Sequence, residues 1–406
     1  MSDRRISVLH AVTDPISTIL MRGQLAYLNA NGFAPALLTG LGRQSQDQES
    51  KEGYPVHRVA MTREIAPGED LRSLFSLWRL LRHIRPVICN AGTPKAGLLV
   101  GMAAWLTRVP CRVYTLRGLR LETATGIKRS LLMMTERTAC FTAHRVICVS
   151  ASLRERAIAL GLVTRSKTAL LGAGSSNGVD SGRFELTPEK AVLAKGLREK
   201  LGIRPGQPVI GFAGRLTRDK GLPELVAAFQ SVQKKMPEAV LLLVGDYEQG
   251  DPVPEETRKA IESELGIRHV GFTSQIDLHY LVMDIFVLPT HREGFPNTVL
   301  EAQAAGLPVV TTDATGAVDA IEDGITGVLT PVGDADKLAE ALLSLLSDPS
   351  RMQSMGLLGR ERILRQFRNE RIWEELTLFY RAMLQERGYP IPTGPSAEVT
   401  RCAQTQ

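Results

Sequence analysis

Residues 284–310 constrain the fold more than any other part of the chain. An apolar run, Ile285-Phe-Val-Leu288, leads into a polar loop carrying His291, Arg292, Glu293 and Gly294. Pro296 follows, where a helix favours its first residue, and Gly306 stands just past the point where that helix would stop. A second apolar run returns at residues 307–311. Strand, loop, helix, strand is the βαβ unit of a parallel sheet, and a parallel sheet needs helices on both faces. The fold class is therefore α/β.

The chemistry of this unit lies where the loop becomes the helix. The first backbone N–H groups there, near Asn297, Thr298 and Val299, have no partners inside the helix, and with the helix dipole they favour a phosphate. Glu293 and Glu301 bracket the site with seven residues between them. At ~3.6 residues per turn Glu301 lies about one and a half turns into the helix. A carboxylate there can accept two hydrogen bonds from vicinal hydroxyls, as on a ribose, and Glu293 can do the same for a second hydroxylated ring beyond the phosphates. Taken singly, either glutamate reads as a solvated or dipole-complementing carboxylate. Together they frame a phosphate between two polyols, which describes a nucleotide-sugar.

A second cluster starts at residue 209. Val209-Ile-Gly-Phe-Ala-Gly214 reads as a strand, and Arg215-Leu-Thr-Arg-Asp-Lys220-Gly221 as the loop at its carboxyl end, where a doubly wound sheet binds ligands. A guanidinium that forks onto two oxygens and an ammonium that acts as a point charge suit a diphosphate.

These segments resemble the retaining glycosyltransferases of family 4, which have the GT-B fold, and the capsular and exopolysaccharide enzymes among them in particular. The resemblance rests on the E-x7-E pair Glu293 and Glu301, on Gly294-Phe295-Pro296, on Ala305-Gly306-Leu307-Pro308, and on the Gly214-Arg215 to Lys220-Gly221 pattern. Asn177-Gly-Val-Asp, with Phe184 one residue early, matches the stretch that leads into the interdomain linker. The resemblance implies two Rossmann-like domains facing a central cleft: an acceptor domain over residues 1–180, a linker at 181–206 and a donor domain at 207–371. A terminal helix at 372–388 crosses back to the first domain, and a disordered tail follows at 389–406. It also implies Arg215, Lys220 and Glu293 as catalytic residues. Gly214, Gly294, Phe295, Pro296, Asn297, Thr298 and Glu301 would bind the donor, with Thr273 beside the nucleobase. The donor would be a UDP-linked sugar, the transfer retaining, and no metal or other cofactor is expected. A UDP-sugar 2-epimerase shares the architecture but uses a different carboxylate pattern in the first domain. A non-catalytic sugar-nucleotide binder would keep the cleft without turnover.

The first half reads as alternating strands and helices. Residues 6–12 form a strand and 16–31 the following helix, with Asp14 in the loop between them an acceptor-side candidate, as are Thr93, Lys95 and Arg117 below. Residues 70–83 form a basic amphipathic helix with Leu71, Leu74, Phe75, Trp78 and Leu81 at helical spacing and Arg72, Arg79 and Arg82 to one side. Its wide apolar arc favours packing against the sheet over lying on a membrane surface. Thr93 suits an N-cap and Pro94 the first position of another helix, so Lys95 is either an acceptor-phosphate ligand or an ordinary first-turn lysine. Arg117 stands where the resembled enzymes often carry histidine near the reacting sugar. It removes a proton shuttle and supplies a permanent cation, unless it is a structural ion-pair partner. The Thr-Pro-Lys-Ala-Gly segment resembles that of transferases that build capsular or lipopolysaccharide units on a polyprenyl carrier. A small soluble acceptor is the second choice.

Composition bears on location and partners. Net charge is +6, without a long basic run or aromatic interleaving, so nucleic acid is not expected. An anionic donor, or a peripheral contact with the inner membrane face, accounts better for the excess. No apolar run approaches the ~18 residues of a membrane span, and the apolar stretch after the N-terminal basic residues is too short for a signal peptide. Five scattered cysteines argue for reduced thiols in a cytoplasm. Asp334-Ala-Asp336 has the spacing of a metal-binding D-x-D pair but reads as a helix cap, and no histidines are paired at ligand spacing.

Overall fold

Strands made only of apolar residues are stable when both faces are covered, and the chain supplies a helix after almost every strand to do so. The computed structural model describes residues 5–42, 53–62, 66–248 and 250–392. They divide into two units, Met1–Asn177 with Asn369–Gln406, and Gly178–Arg368.

The first unit runs β1 (Ile6–Ala11), α1 (Gln24–Ala30), β2 (Phe33–Thr39), β3 (Val56–Arg58), α2 (Pro67–Ile84), β4 (Ile88–Ala91), α3 (Pro94–Leu106), β5 (Cys111–Leu116), α4 (Gly126–Thr142), β6 (Arg145–Cys148), α5 (Ala151–Ala159) and β7 (Thr168–Leu170). Its strands are all parallel, in the order β3-β2-β1-β4-β5-β6-β7. The order reverses beside β1, where Val8 lies between Pro35 and Ile88, and this is the point at which such sheets bind ligands.

The second unit runs α6 (Pro188–Lys200), β8 (Val209–Ala213), α7 (Leu222–Lys235), β9 (Val240–Val244), α8 (Glu255–Ser263), β10 (Ile267–His269), α9 (Ile276–Tyr280), β11 (Ile285–Leu288), α10 (Asn297–Ala304), β12 (Val309–Thr312), β13 (Gly327–Thr330), α11 (Ala335–Leu346) and α12 (Pro349–Gln366). Its strand order is β10-β9-β8-β11-β12-β13, again all parallel, and every residue of β8, β9 and β11 is buried. Both units are Rossmann-like.

The last helix, α13 (Asn369–Glu386), belongs to the first unit. Leu376, Tyr380, Met383 and Leu384 enter the same core as Val8, Phe33 and Ile88. The Tyr380 hydroxyl accepts from Asn90 (2.7 Å) and meets His10 Nε2 at 3.0 Å, while Asn90 accepts from Thr115 (2.8 Å). Burial, with Arg117 nearby, pushes the His10 pKa down to about 3, so the ring is neutral in this buried cluster.

The structure refines the sequence expectations at several points. The helix expected at 16–31 is broken into a 3₁₀ turn, Pro15–Met21, and α1. Gly23 between them has φ +78, and a Cβ there would come within 2.6 Å of the Trp373 ring. Residues 181–206, expected as the linker, fall within the second unit. Their helix α6 buries Ala194 and packs on α9 within the second unit. Helix α2 buries Ser73, Leu77 and Leu81, while Leu71 and Phe75 are exposed, so the expected apolar arc is buried only along its Leu81 edge. Asp334 caps α11, accepting from the Lys337 N–H at 2.9 Å. The tail expected at 389–406 falls largely outside the described residues. Among the described residues no helix is long and apolar enough to cross a membrane.

Candidate active site

In the second unit, glycines allow three loops at the carboxyl ends of β8, β9 and β11 to touch. A Cβ on Gly245 would lie 1.9 Å from the Gly214 carbonyl oxygen, and one on Gly221 (φ +75) 1.9 Å from that of Pro289. The contact at Gly221 brings Lys220 to Glu293, and their side chains form an ion pair only 14% and 16% exposed. Arg215, more open, pairs with Glu248.

A second set of contacts stitches the same two loops together. Asp219 accepts from the Thr217 hydroxyl (2.6 Å) and from Arg292 (2.5 Å). Its backbone carbonyl accepts from the His291 N–H (2.8 Å) and the Thr290 hydroxyl (3.0 Å). His291 Nε2 lies 3.0 Å from a Glu224 carboxylate oxygen, and that hydrogen bond raises the histidine pKa above its ordinary value. The loops bearing the catalytic candidates are thus held by side chains immediately beside them.

Helix α10 begins one residue later than expected, with Pro296 as its N-cap. Val299 and Leu300 donate to the Pro296 carbonyl at 3.1 and 3.4 Å, so Val299 is already satisfied. The Asn297 and Thr298 N–H groups have no partner among the described residues, and the Asn297 Oδ1 is buried without one. The turn before the helix is pinned: Glu293 N–H donates to Thr315 O at 2.9 Å, and Gly316 (φ +78) sits where a Cβ would be 2.4 Å from Gly294 O. Phe295 is buried, its ring centroid 5.4 Å from that of Phe367. Further along α10, Glu301 accepts from the hydroxyl of fully buried Tyr280 at 3.0 Å. Thr273 accepts from the Gln275 N–H at 3.1 Å, next to an exposed Phe272.

The candidates in the first unit have local structural partners. Asp14 caps the 3₁₀ turn, accepting from Ile16 N–H at 2.9 Å. Thr93 occupies the N-cap of α3, but its hydroxyl faces Thr13 at 2.7 Å and does not cap the helix. The buried Lys95 ammonium lies 2.6 Å from Asp70. Arg117 donates to Gly92 O and to the Ser176 hydroxyl, each at 2.5 Å, and a Cβ on Gly92 would meet its guanidinium at 2.2 Å. Burial lowers the Arg117 pKa to about 10, so it stays a cation at the end of β5. Among the described residues it forms no ion pair, and both acceptors are neutral.

Sequence reasoning did not single out Tyr280, Asp219 or His10. Asp219 stands beside Lys220 within the loop already marked, so its neighbourhood was a signal. Tyr280 and His10 are recognised only through partners 21 and 370 residues away.

Two unpaired N–H groups, two cations and two carboxylates at the carboxyl edge of a doubly wound sheet have the chemistry that suits a phosphorylated, polyhydroxylated ligand. Residues 195–362 match the glycosyl transferases group 1 family, and residues 19–174 match the glycosyl transferase 4-like domain. The chain is 36% identical over 380 residues to the capsular polysaccharide biosynthesis glycosyltransferase CapM of Staphylococcus aureus, an alignment covering 93% of this chain and 98% of that one. It is 28% identical over 294 residues to the Escherichia coli UDP-Gal:alpha-D-GlcNAc-diphosphoundecaprenol alpha-1,3-galactosyltransferase, covering 71% and 73%. Anabaena Alr3699/HepE, solved with UDP, superposes with a TM-score of 0.76 at 20% identity over 93% of this chain and 100% of that one. The chain belongs to the group 1 glycosyltransferases and has their GT-B architecture of two Rossmann-like domains. It transfers a sugar from a nucleotide-sugar.

Proposed function

We propose that the donor is a UDP-linked sugar, that transfer retains the anomeric configuration without a metal, and that the acceptor is a polyprenyl-diphosphate-linked glycan. The work would belong to capsular or lipopolysaccharide assembly at the cytoplasmic membrane face. The observation that carries the reading is the Lys220–Glu293 pair set beside the unpaired N–H groups of Asn297 and Thr298. On this reading Lys220, Arg215 and the α10 N-terminus hold the donor diphosphate, Glu301 accepts from the ribose hydroxyls, and Glu293 accepts from the donor sugar.

The bond from the anomeric carbon to the diphosphate oxygen breaks first, and the fixed positive charge stabilises the departing group. The acceptor hydroxyl then forms its bond on the same face, and its proton passes to a leaving-phosphate oxygen. No enzymic nucleophile is consumed. The E. coli relative, named for a UDP-linked donor and a diphosphoundecaprenol acceptor, supports this choice of substrates.

The test incubates the protein with a panel of radiolabelled UDP-sugars, with EDTA, and with either an undecaprenyl-diphosphate-linked sugar or a water-soluble glycoside. Label in the lipid-linked product, with the donor's anomeric configuration by NMR, is the expected result. Transfer only to the soluble glycoside, inversion, or loss of activity in EDTA would each overturn the corresponding part.

A further inference from the structure

Helix α2 carries two apolar stripes and the fold uses only one. Leu77 and Leu81 are buried with Ser73 against the unit's interior, and α2 packs on α3. The other stripe, Leu71 and Phe75 with half-buried Trp78 beside them, follows helical spacing along a side that meets solvent, with Leu71 69% and Phe75 59% exposed. The Phe75 and Trp78 rings stack with centroids 5.7 Å apart, and the Arg82 guanidinium sits 4.9 Å from the Trp78 ring centre. An apolar stripe of this kind costs solvation unless something covers it.

The charge around the stripe says what that cover is. The acidic residues of α2, Glu69 and Asp70, lie in its first turn, and Asp70 is paired with Lys95. Past that turn every charged residue is basic. Arg72, Arg79 and Arg82 form no ion pair among the described residues. At the helix's carboxyl end, where Arg85 turns the chain at φ +45, a recess of about 420 Å³ is lined by Arg82, Arg85, Arg108, Pro110 and Tyr389. The last-turn arginines complement the helix dipole, but that does not account for Arg72 or for the exposed Leu71 and Phe75. A second copy of the chain meeting this face across a two-fold axis would set these arginines against their own counterparts.

We propose that the Leu71, Phe75, Trp78 stripe of α2 docks on an anionic phospholipid bilayer. The aromatic rings enter the boundary between headgroups and acyl chains, Arg72, Arg79 and Arg82 meet lipid phosphates, and the recess receives a headgroup. This deepens the membrane-face placement proposed above and rests on it, but its measurement does not require transfer.

The full chain is sedimented with vesicles of phosphatidylcholine alone or with 30% phosphatidylglycerol, about the fraction at which a few basic residues discriminate. Release of UDP from the donor is followed in parallel. Wild type should bind the anionic vesicles at least tenfold more strongly than the neutral ones. Phe75→Ser with Trp78→Ser should lower that binding at least tenfold. Arg79→Glu with Arg82→Glu should abolish the preference for anionic lipid. All should release UDP within about twofold of wild type, because none of the four residues belongs to the donor site. Equal binding by wild type and variants, no lipid preference, no vesicle binding at all, or a wild-type dimer that the variants dissociate would overturn the proposal. Loss of UDP release in wild type would instead count against the transferase reading.

Discussion

Replacing Lys220 with methionine removes the ammonium while keeping a flexible chain of similar length. The ammonium sits in a site with little solvent, 14% exposed, so its charge is only partly screened. A unit charge about 4 Å from a developing phosphate charge, at an effective dielectric constant near 20, contributes about 4 kcal/mol. Only the part that grows as the bond breaks accelerates the reaction, so the effect on kcat should be about 10²- to 10³-fold. The fold should be perturbed less: Glu293 loses its partner but keeps some contact with water, a cost of about 1–3 kcal/mol. The assay is steady-state UDP release with saturating donor and acceptor, alongside thermal unfolding to show that the variant is folded. Lys220→Arg should recover part of the rate, since it restores charge but not the shape of the donor. A Lys220→Met enzyme that folds and turns over within about threefold of wild type would refute the assignment of Lys220 to the leaving group.

Tyr280→Phe leaves the buried packing nearly unchanged and deletes the hydroxyl that holds Glu301. With a charge-assisted hydrogen bond worth about 1.5–3 kcal/mol, UDP affinity measured by calorimetry should fall about tenfold with little change in kcat, whereas equal affinity would separate Glu301 from the ribose. The His291–Glu224 contact gives a pH dependence. The histidine pKa is raised in the fold above the 6.5 of the free group, so its stabilisation is complete below pH 6.5 and is lost as pH rises through the raised value. Wild type and Glu224→Gln should therefore differ most in unfolding temperature at about pH 6 and converge at higher pH, and a constant difference would refute the pairing.

Much of the donor site was legible because it is punctuated locally. Pro296 and Gly306 bracket α10 within one residue, and Arg215 and Lys220 lie in a loop whose glycines are needed where loops after different strands touch. What the sequence hid depends on distant partners. Periodicity marks both Leu77 and Phe75 as apolar positions of α2, but only the packed neighbour decides which is buried. The break at Gly23 depends on Trp373, and the job of Lys95 on Asp70. Arg292 and His291 were visible beside Glu293, but their partners Asp219 and Glu224 lie 73 and 67 positions earlier. Neither pairing is visible before the loops are brought together.

The membership of α13 in the first unit has a consequence for synthesis. During translation, the opening 177 residues leave the ribosome without the segment that carries Tyr380, Met383 and Leu384, while Gly178–Arg368 emerges as an uninterrupted piece. The half made later can therefore complete its fold sooner. The half made first waits, with an apolar face and the polar pair His10 and Asn90 uncovered, until residues 369–386 have been made. A premature stop shortly before residue 369 would thus damage the beginning of the molecule rather than its end.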